Sequence, residues 1–466
     1  MSVFDINETT ILENKFAQHL QYNSELKDLY GEINTPFHFI FDMLSIIPSE
    51  YFENKNLRWL DAGAGRGNYS MCLFYLLFKG LKNTIIDAKE RKHHIIKNMI
   101  YLIEYNRDNI PTIKERFGKD VNVIVGNYLD WEPNIEFDFV IGNPPYNCNG
   151  VKKVPTKSNV DKKQDGKTIW TEFVKKNISI LKNNGIMNVL IPSIWMKPDK
   201  AGMYDILLKY QITKMHTLNS SEVNKIFNYH VQTPVCYFLL TKRENKNKLE
   251  LFDKIHNNYF LFSLCKDLPI PLNYSSIVSK FLLLTNKYGK LEVAKTNMPP
   301  KNSKISDVYS DAYPFKNIHT TVINKNKEPE LQIKYTNVEL PYSGKPKIVM
   351  AHKMYGFPYI DKDGIYGISS RDNYVIINKS EKELLIISEF LSTTLVLFLY
   401  ETTRYRMRYL EKYVFEYIPD FSKIPDAVQM FENNKIDINK LLNINQIEKE
   451  YIERYHKIKY KFFNNK

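Results

Sequence analysis

The sequence predicts an α/β chain whose first half is a doubly wound parallel sheet and whose second half is a mixed α+β domain. Three observations carry this. From Leu57 to about Lys242, short apolar runs alternate with amphipathic helical segments. The apolar runs are hydrophobic nearly end to end, as strands covered on both faces must be. At RENKNK, 243–248, the pattern gives way to short strands and helices separated by the turn-forming stretches 298–304 (MPPKNSK), 341–346 (PYSGKP) and 361–367 (DKDGIYG).

Taken in order, the strands of the first half are expected at 57–61, 99–104, 121–125, 137–142, 185–191 and 234–241. Between the last two sheet halves, Ile169, Trp170, Phe173, Val174, Ile178 and Leu181 recur at helical spacing and should pack on the sheet. Residues 79–98 read as an extra basic helical segment, and 149–168, with six lysines and almost nothing to bury, as a mobile basic loop. Near the end, Ile438, Leu441, Leu442, Ile444, Ile447 and Ile452 space out as a terminal helix or helix pair. A domain boundary is expected at 245/246.

A chain of 466 residues is too long for one ordinary core. With 65 Lys+Arg against 52 Asp+Glu it carries +13, a field that attracts polyanions; nucleic acid is favoured, although a Lys- and Asn-rich composition gives the same excess without selection for binding. Cys72, Cys148, Cys236 and Cys265 lack any paired spacing, so no metal cage is expected and reduced thiols are. The start MSVFDINETT has neither the basic opening nor the apolar core of a signal peptide, and no apolar run reaches the roughly 18 residues a membrane span needs. A soluble, cytoplasmic protein is the expectation.

The sharpest chemical motif is FDFVIGNPPYN, 137–147, where an apolar strand stops at Gly142 and delivers Asn143, Pro144, Pro145 and Tyr146 at its carboxyl end. That edge is where open α/β sheets bind ligands. Two prolines hold a stiff turn and leave the Pro144 carbonyl free to accept. With the Asn143 side chain it offers two acceptors for the hydrogens of a planar NH2 group, and Tyr146 offers a ring on which a base can stack. A bare Pro-Pro loop with a capping Asn is the bland alternative; the apolar strand directly ahead favours chemistry.

Upstream, LDAGAGRGN, 60–68, has an acidic residue followed by Gly63, Gly65 and Gly67, a turn that lets backbone approach a nucleotide closely. The G-x-G-x-G spacing is not that of a dinucleotide site, and Asp61 suits the amino group of a methionine moiety better than a pyrophosphate. The strand at 99–104 ends in Glu104, a carboxylate able to accept two ribose hydroxyls.

In this order the motifs resemble the gamma class of adenine-specific (N6) DNA methyltransferases of the NPPY type. Thr35, Pro36 and Met43 in YGEINTPFHFIFDML resemble that family's N-terminal cofactor segment, together with Gly31, and IWTEFVKKNISILKNNGIMNVLIPSIW its later helix, strand and proline. The resemblance implies a Rossmann-like class I methyltransferase sheet over 1–245 and a target-recognition domain over 246–466, where ISEFLSTTLVLFL, 387–399, is similar to a helix usual there. It implies S-adenosyl-L-methionine as cofactor, held by Thr35, Pro36, Asp61, Ala62, Gly63, Gly65, Glu104 and Asn143. It further implies transfer to an adenine rotated out of double-stranded DNA, between Tyr146 and Phe227. The family's third strand ends in Gly-Asp, whereas this one ends Gly126-Asn127 with Asp130 three residues on, so either residue is a candidate for the cofactor's adenine amine. Lys152, Lys153, Lys157, Arg404, Arg406 and Arg408 are candidate phosphate contacts, with solvated charge the alternative for each. A restriction-modification or epigenetic role, with a cognate restriction endonuclease as a partner, belongs to the same picture. RNA adenine or protein glutamine methylation, a bifunctional restriction enzyme, and a non-catalytic binding module are the rivals.

Overall fold

The computed structural model describes residues 33–148, 167–198, 201–228, 230–325, 328–352, 356–406 and 410–459. Gly31, Lys152, Lys153, Lys157 and Arg408 lie outside these residues, as does most of the lysine-rich stretch 149–168. The chain divides into two compact units, Met1–Leu251 and Phe252–Lys466.

In the first unit the strands are β1 (Trp59–Ala62), β2 (Ile100–Glu104), β3 (Asn122–Val125), β4 (Phe137–Gly142), the short pair β5 (Asn147–Cys148) and β6 (Lys167–Thr168), β7 (Leu181–Pro192), β8 (Tyr210–Leu218), β9 (Val235–Glu244) and β10 (Lys248–Asp253). Within this unit the strands of the main sheet run in the order β10-β8-β9-β7-β4-β1-β2-β3. β1, β2, β3, β4 and β7 are mutually parallel neighbours. The expectation of an all-parallel sheet is corrected at β9, which pairs antiparallel with both β7 and β8. A strand covered on both faces reads as an apolar run whichever way it points, so periodicity could not have revealed the reversal. The unpredicted β8 has a mixed burial pattern, neither a continuous apolar run nor a clean alternation.

Strand order reverses between β1 and β4, and their carboxyl ends flank the crevice that such a switch point opens. Both strands are anchored from the amino side. Trp59 is fully buried and stacked between Phe52, at 5.6 Å, and Phe139, at 3.7 Å. Helix α1 (Phe37–Leu44) buries Phe37, Phe39, Ile40, Phe41, Met43 and Leu44. Helix α2 (Asn68–Gly80) follows β1 directly and buries Cys72, Leu73, Leu76 and Leu77 at helical spacing. The extra segment 79–98 becomes a short helix, α3 (Ala88–His94), capped by Asp87 and widening into a π turn over Ile95–Met99. Thr84 and Ile86 are exposed in the loop ahead of it. Helix α4 (Ile110–Phe117) links β2 to β3, and α5 (Trp170–Ile180) turns its Trp170, Phe173, Val174 and Ile178 inward as the spacing predicts.

The second unit holds two small sheets, the first antiparallel throughout and the second mixed, with one parallel pairing between Phe315–Ile323 and Gly367–Ile368. One joins Ala294–Lys295, Asn373–Ile376, Lys347–Ala351 and Tyr359–Asp361; the other joins Ile305–Ser306, Pro329–Thr336, Phe315–Ile323 and Gly367–Ile368. Ile318, Val349, Ile368 and Val375 form the core they share. Lys347 and Asp361 face each other in register and form a buried ion pair at 2.5 Å. The remaining bonds of that pair go to the carbonyls of Tyr342 and Lys345 and the amides of Ile365 and Tyr366, so neither buried charge is stranded. The terminal segment forms the expected pair of helices, Ile438–Leu441 and Gln446–Lys459. No single helix among the described residues is long and apolar enough to cross a membrane.

Candidate active site

At the carboxyl end of β1 the side chain of Asp61 is buried, and its Oδ2 accepts from Ser70 Oγ at 2.7 Å. Burial raises its carboxyl to about 6, against the lowering effect of the Ser70 bonds. A carboxylate so poised gains from any cation brought beside it. The turn that follows needs its glycines: Gly63, Gly65 and Gly67 all have positive φ, at 86°, 54° and 79°. A Cβ on Gly65 would meet nothing within 4 Å, whereas one on Gly63 would lie 3.6 Å from Pro145 Cδ. The glycine turn and the Pro-Pro corner, distant in sequence, are therefore neighbours.

Glu104 ends β2 and reaches back across that turn. Its Oε2 accepts from the Gly65 amide at 2.6 Å and its Oε1 from the Asn106 amide at 2.7 Å. Asn109 Nδ2 lies 3.5 Å from the same Oε1. The carboxylate thus braces the turn.

Beyond Gly142, the Asn143 carboxamide donates from Nδ2 to Thr35 Oγ1 at 3.2 Å. Its Oδ1 is buried and has no hydrogen-bond partner among the described residues. An amide oxygen left so is costly unless something fills it. Pro144 is buried and Tyr146 half-buried, its hydroxyl 3.4 Å from the Leu190 carbonyl. Burial raises the Tyr146 hydroxyl well above its ordinary value, so the ring stays neutral. Phe227 is buried and meets Phe39 edge-on at 5.9 Å, so its ring is turned into the protein in this structure.

At the end of β3, Asn127 and Asp130 belong to one small unit. Asn127 Oδ1 accepts from the Leu129 amide at 3.2 Å and its Nδ2 donates to Asp130 Oδ2 at 2.6 Å. Both groups of the Asn127 amide are spent there, while Asp130 is exposed and keeps a second oxygen.

Several contributors were not picked out from sequence. Ser70, in the first turn of α2, fixes Asp61, and a hydroxyl among apolar helix positions was the available signal. Tyr69 Oη donates to Asn188 Oδ1 at 2.5 Å, tying α2 to β7. Arg116, at the end of α4, donates through Nη1 to the Arg66 carbonyl at 2.6 Å and to Asn68 Oδ1 at 2.7 Å. No sequence pattern announced it. In the second unit, Arg404 forms an ion pair with Glu401 at 2.7 Å, both side chains largely buried, whereas Arg406 is exposed.

In the first unit the acidic glycine turn and the Asn-Pro-Pro-Tyr corner meet at the carboxyl edge of the sheet. The profile of the Eco57I restriction-modification methylase family matches residues 70–227. The Type II methyltransferase M.TthHB8I of Thermus thermophilus is 26% identical over 87 residues, covering 16% of this chain. The match spans only 20% of that relative's length. Both sequence matches are to methyltransferases, and the matched family is one of restriction-modification methylases. Among solved structures, the Type IIL restriction-modification enzyme MmeI aligns over 95% of this chain and 77% of its own, with TM-score 0.48 and 11% identity. The type IIG restriction endonuclease BpuSI aligns over 92% and 63%, with TM-score 0.42 and 10% identity.

Proposed function

We propose that the chain is an S-adenosylmethionine-dependent methyltransferase that methylates the exocyclic amine of adenine in DNA, within a restriction-modification or epigenetic system. The observation that carries this reading is the Asn143 carboxamide: one end is held by Thr35, and the other is a buried oxygen without a partner at the edge shared with Asp61 and Gly63.

The donor set fits the cofactor. Asp61 would meet its ammonium group, the open face of Gly65 its backbone-proximal part, Glu104 its ribose, and Asp130, held by Asn127, its adenine amine. When bound, the cofactor supplies an electrophilic methyl group on a sulfonium, already a good leaving group. The chain's own task is positioning. Asn143 Oδ1 and the Pro144 carbonyl accept the two hydrogens of a target NH2, which turns its lone pair toward the methyl. Tyr146 supplies a flat neutral surface for the base, which must leave the duplex for its amine to be reached. Double-stranded DNA as the acceptor is supported by the +13 charge and by the extent of chain beyond the catalytic unit. The second unit is assigned to target reading.

The test is incubation of the full chain with methyl-labelled cofactor and separate DNA, RNA and protein acceptors, followed by identification of the modified group. N6-methyladenine in DNA is the expected product. Label in glutamine of protein, or in RNA alone, refutes the DNA assignment.

A further inference from the structure

Resting on that reading, we infer that Arg116 and Thr35 are positioning residues for the transfer, acting through a hydrogen-bonded chain that sets the orientation of the Asn143 carboxamide. The chain has three links. Arg116 Nη1 donates to both the Arg66 carbonyl and Asn68 Oδ1, so one guanidinium nitrogen holds the glycine turn and the first residue of α2 together. With its oxygen engaged by Arg116, the Asn68 amide directs Nδ2 to the Thr35 carbonyl, at 3.4 Å. That contact seats the segment before α1, and Thr35 Oγ1 then receives Asn143 Nδ2.

The consequence is a choice of face. A carboxamide has a donor end and an acceptor end of nearly equal shape, and only the acceptor end can take a proton of an amine. Thr35 Oγ1 is buried, and the Asn143 amide donates to it. The opposite end, Oδ1, is thereby left buried and unoccupied. Loss of the hydroxyl removes the reason for that orientation. A rotated amide would present NH2 to NH2, donor against donor, and misplacement of this kind costs about 100-fold in rate.

Arg116 is held among buried groups, and burial lowers its guanidinium to about 10. The network joins four segments far apart in sequence, with spacings of 48, 33 and 108 residues between partners.

The experiment compares full-length wild type with T35V, T35S, R116K and the T35V/R116K double variant. Single-turnover methylation of duplex DNA and cofactor affinity by calorimetry are measured on each, alongside a crystal structure of T35V. T35V is expected to slow transfer about 10- to 100-fold, well beyond any weakening of cofactor binding from the lost Thr35 hydroxyl, and T35S to restore most of the rate. R116K is expected to act in the same direction, and the double variant to be about as slow as the slower single variant, since both act through one chain. Wild-type rate in T35V, a rate loss matched by lost cofactor affinity, or full multiplication in the double variant overturns the inference. If wild type modifies a different acceptor, the DNA reading fails while the same rate comparison proceeds on that acceptor. A T35V structure that distinguishes amide oxygen from nitrogen, as neutron diffraction does, and finds Asn143 Oδ1 still on its wild-type side refutes the positioning role whatever the acceptor.

Discussion

Gly142 approaches Asp61 so closely that a Cβ on it would fall 3.0 Å from Asp61 Oδ1. The two residues close neighbouring parallel strands, and Gly142 has φ of 133°, a region L side chains rarely adopt. This contact is what lets the Asn143 corner and the Asp61 carboxylate share one small volume. Gly142→Ala should therefore destabilise the protein by about 1–3 kcal/mol through strain and weaken cofactor binding as Asp61 is displaced. Thermal unfolding and calorimetric titration check both; an alanine variant with unchanged affinity would separate the two sites.

Asp61 predicts a trade between stability and function. Its folded carboxyl titrates near 6, above the ordinary 3.8, so the folded state binds that proton more tightly than the unfolded chain. The protonated form's advantage is full below about 4 and is lost as pH rises through 6. At pH 8 the buried anion is a burden, and Asp61→Asn should raise stability by about 2–3 kcal/mol while removing most cofactor affinity. At pH 4 the stability gain should vanish. Denaturant unfolding at the two pH values measures it, and a gain independent of pH contradicts the assignment. Cofactor binding by wild type should likewise fall as pH drops below about 6.

Asn127 and Asp130 give opposite predictions for two readings. With Asn127 serving to hold Asp130, Asn127→Asp sets two carboxylates against each other where a 2.6 Å hydrogen bond stood, and cofactor affinity should drop. Were the residue at 127 itself the acceptor for the cofactor's adenine amine, the same change would tighten binding. Calorimetric titration decides by the sign alone.

Arg404 and Arg406 should separate although they are two residues apart. Removing Arg404 takes the ion-pair partner from the buried Glu401 carboxylate, which the Tyr455 hydroxyl also approaches at 3.5 Å, and should cost on the order of 1–3 kcal/mol in stability. Arg406→Ala should leave stability unchanged and reduce the salt dependence of DNA binding by about one unit of slope. Equal salt slopes in wild type and the Arg406 variant would remove that residue from the phosphate contacts.

What sequence could disclose here follows from how local each signal was. Asp61, Gly63, Glu104 and Asn143 each sit at the end of an apolar strand or in its turn, so the strand itself marks them, and the parallel order gathers them at one edge. Arg116 and Asn188 carry no such marker, because their importance lies in partners 48 and 119 residues away. The reversed β9 was hidden because a doubly covered strand has the same apolar pattern in either direction. Phe227 shows a different limit: an aromatic after a helix can face a ligand or a neighbour, and here Phe39 supplies the neighbour.

The most direct test of the whole account is Asn143→Ala, assayed side by side for cofactor binding and for single-turnover methyl transfer to adenine in duplex DNA. Removing the partnerless Oδ1 should abolish transfer while leaving cofactor affinity largely intact. Near-normal transfer by that variant would contradict the central claim.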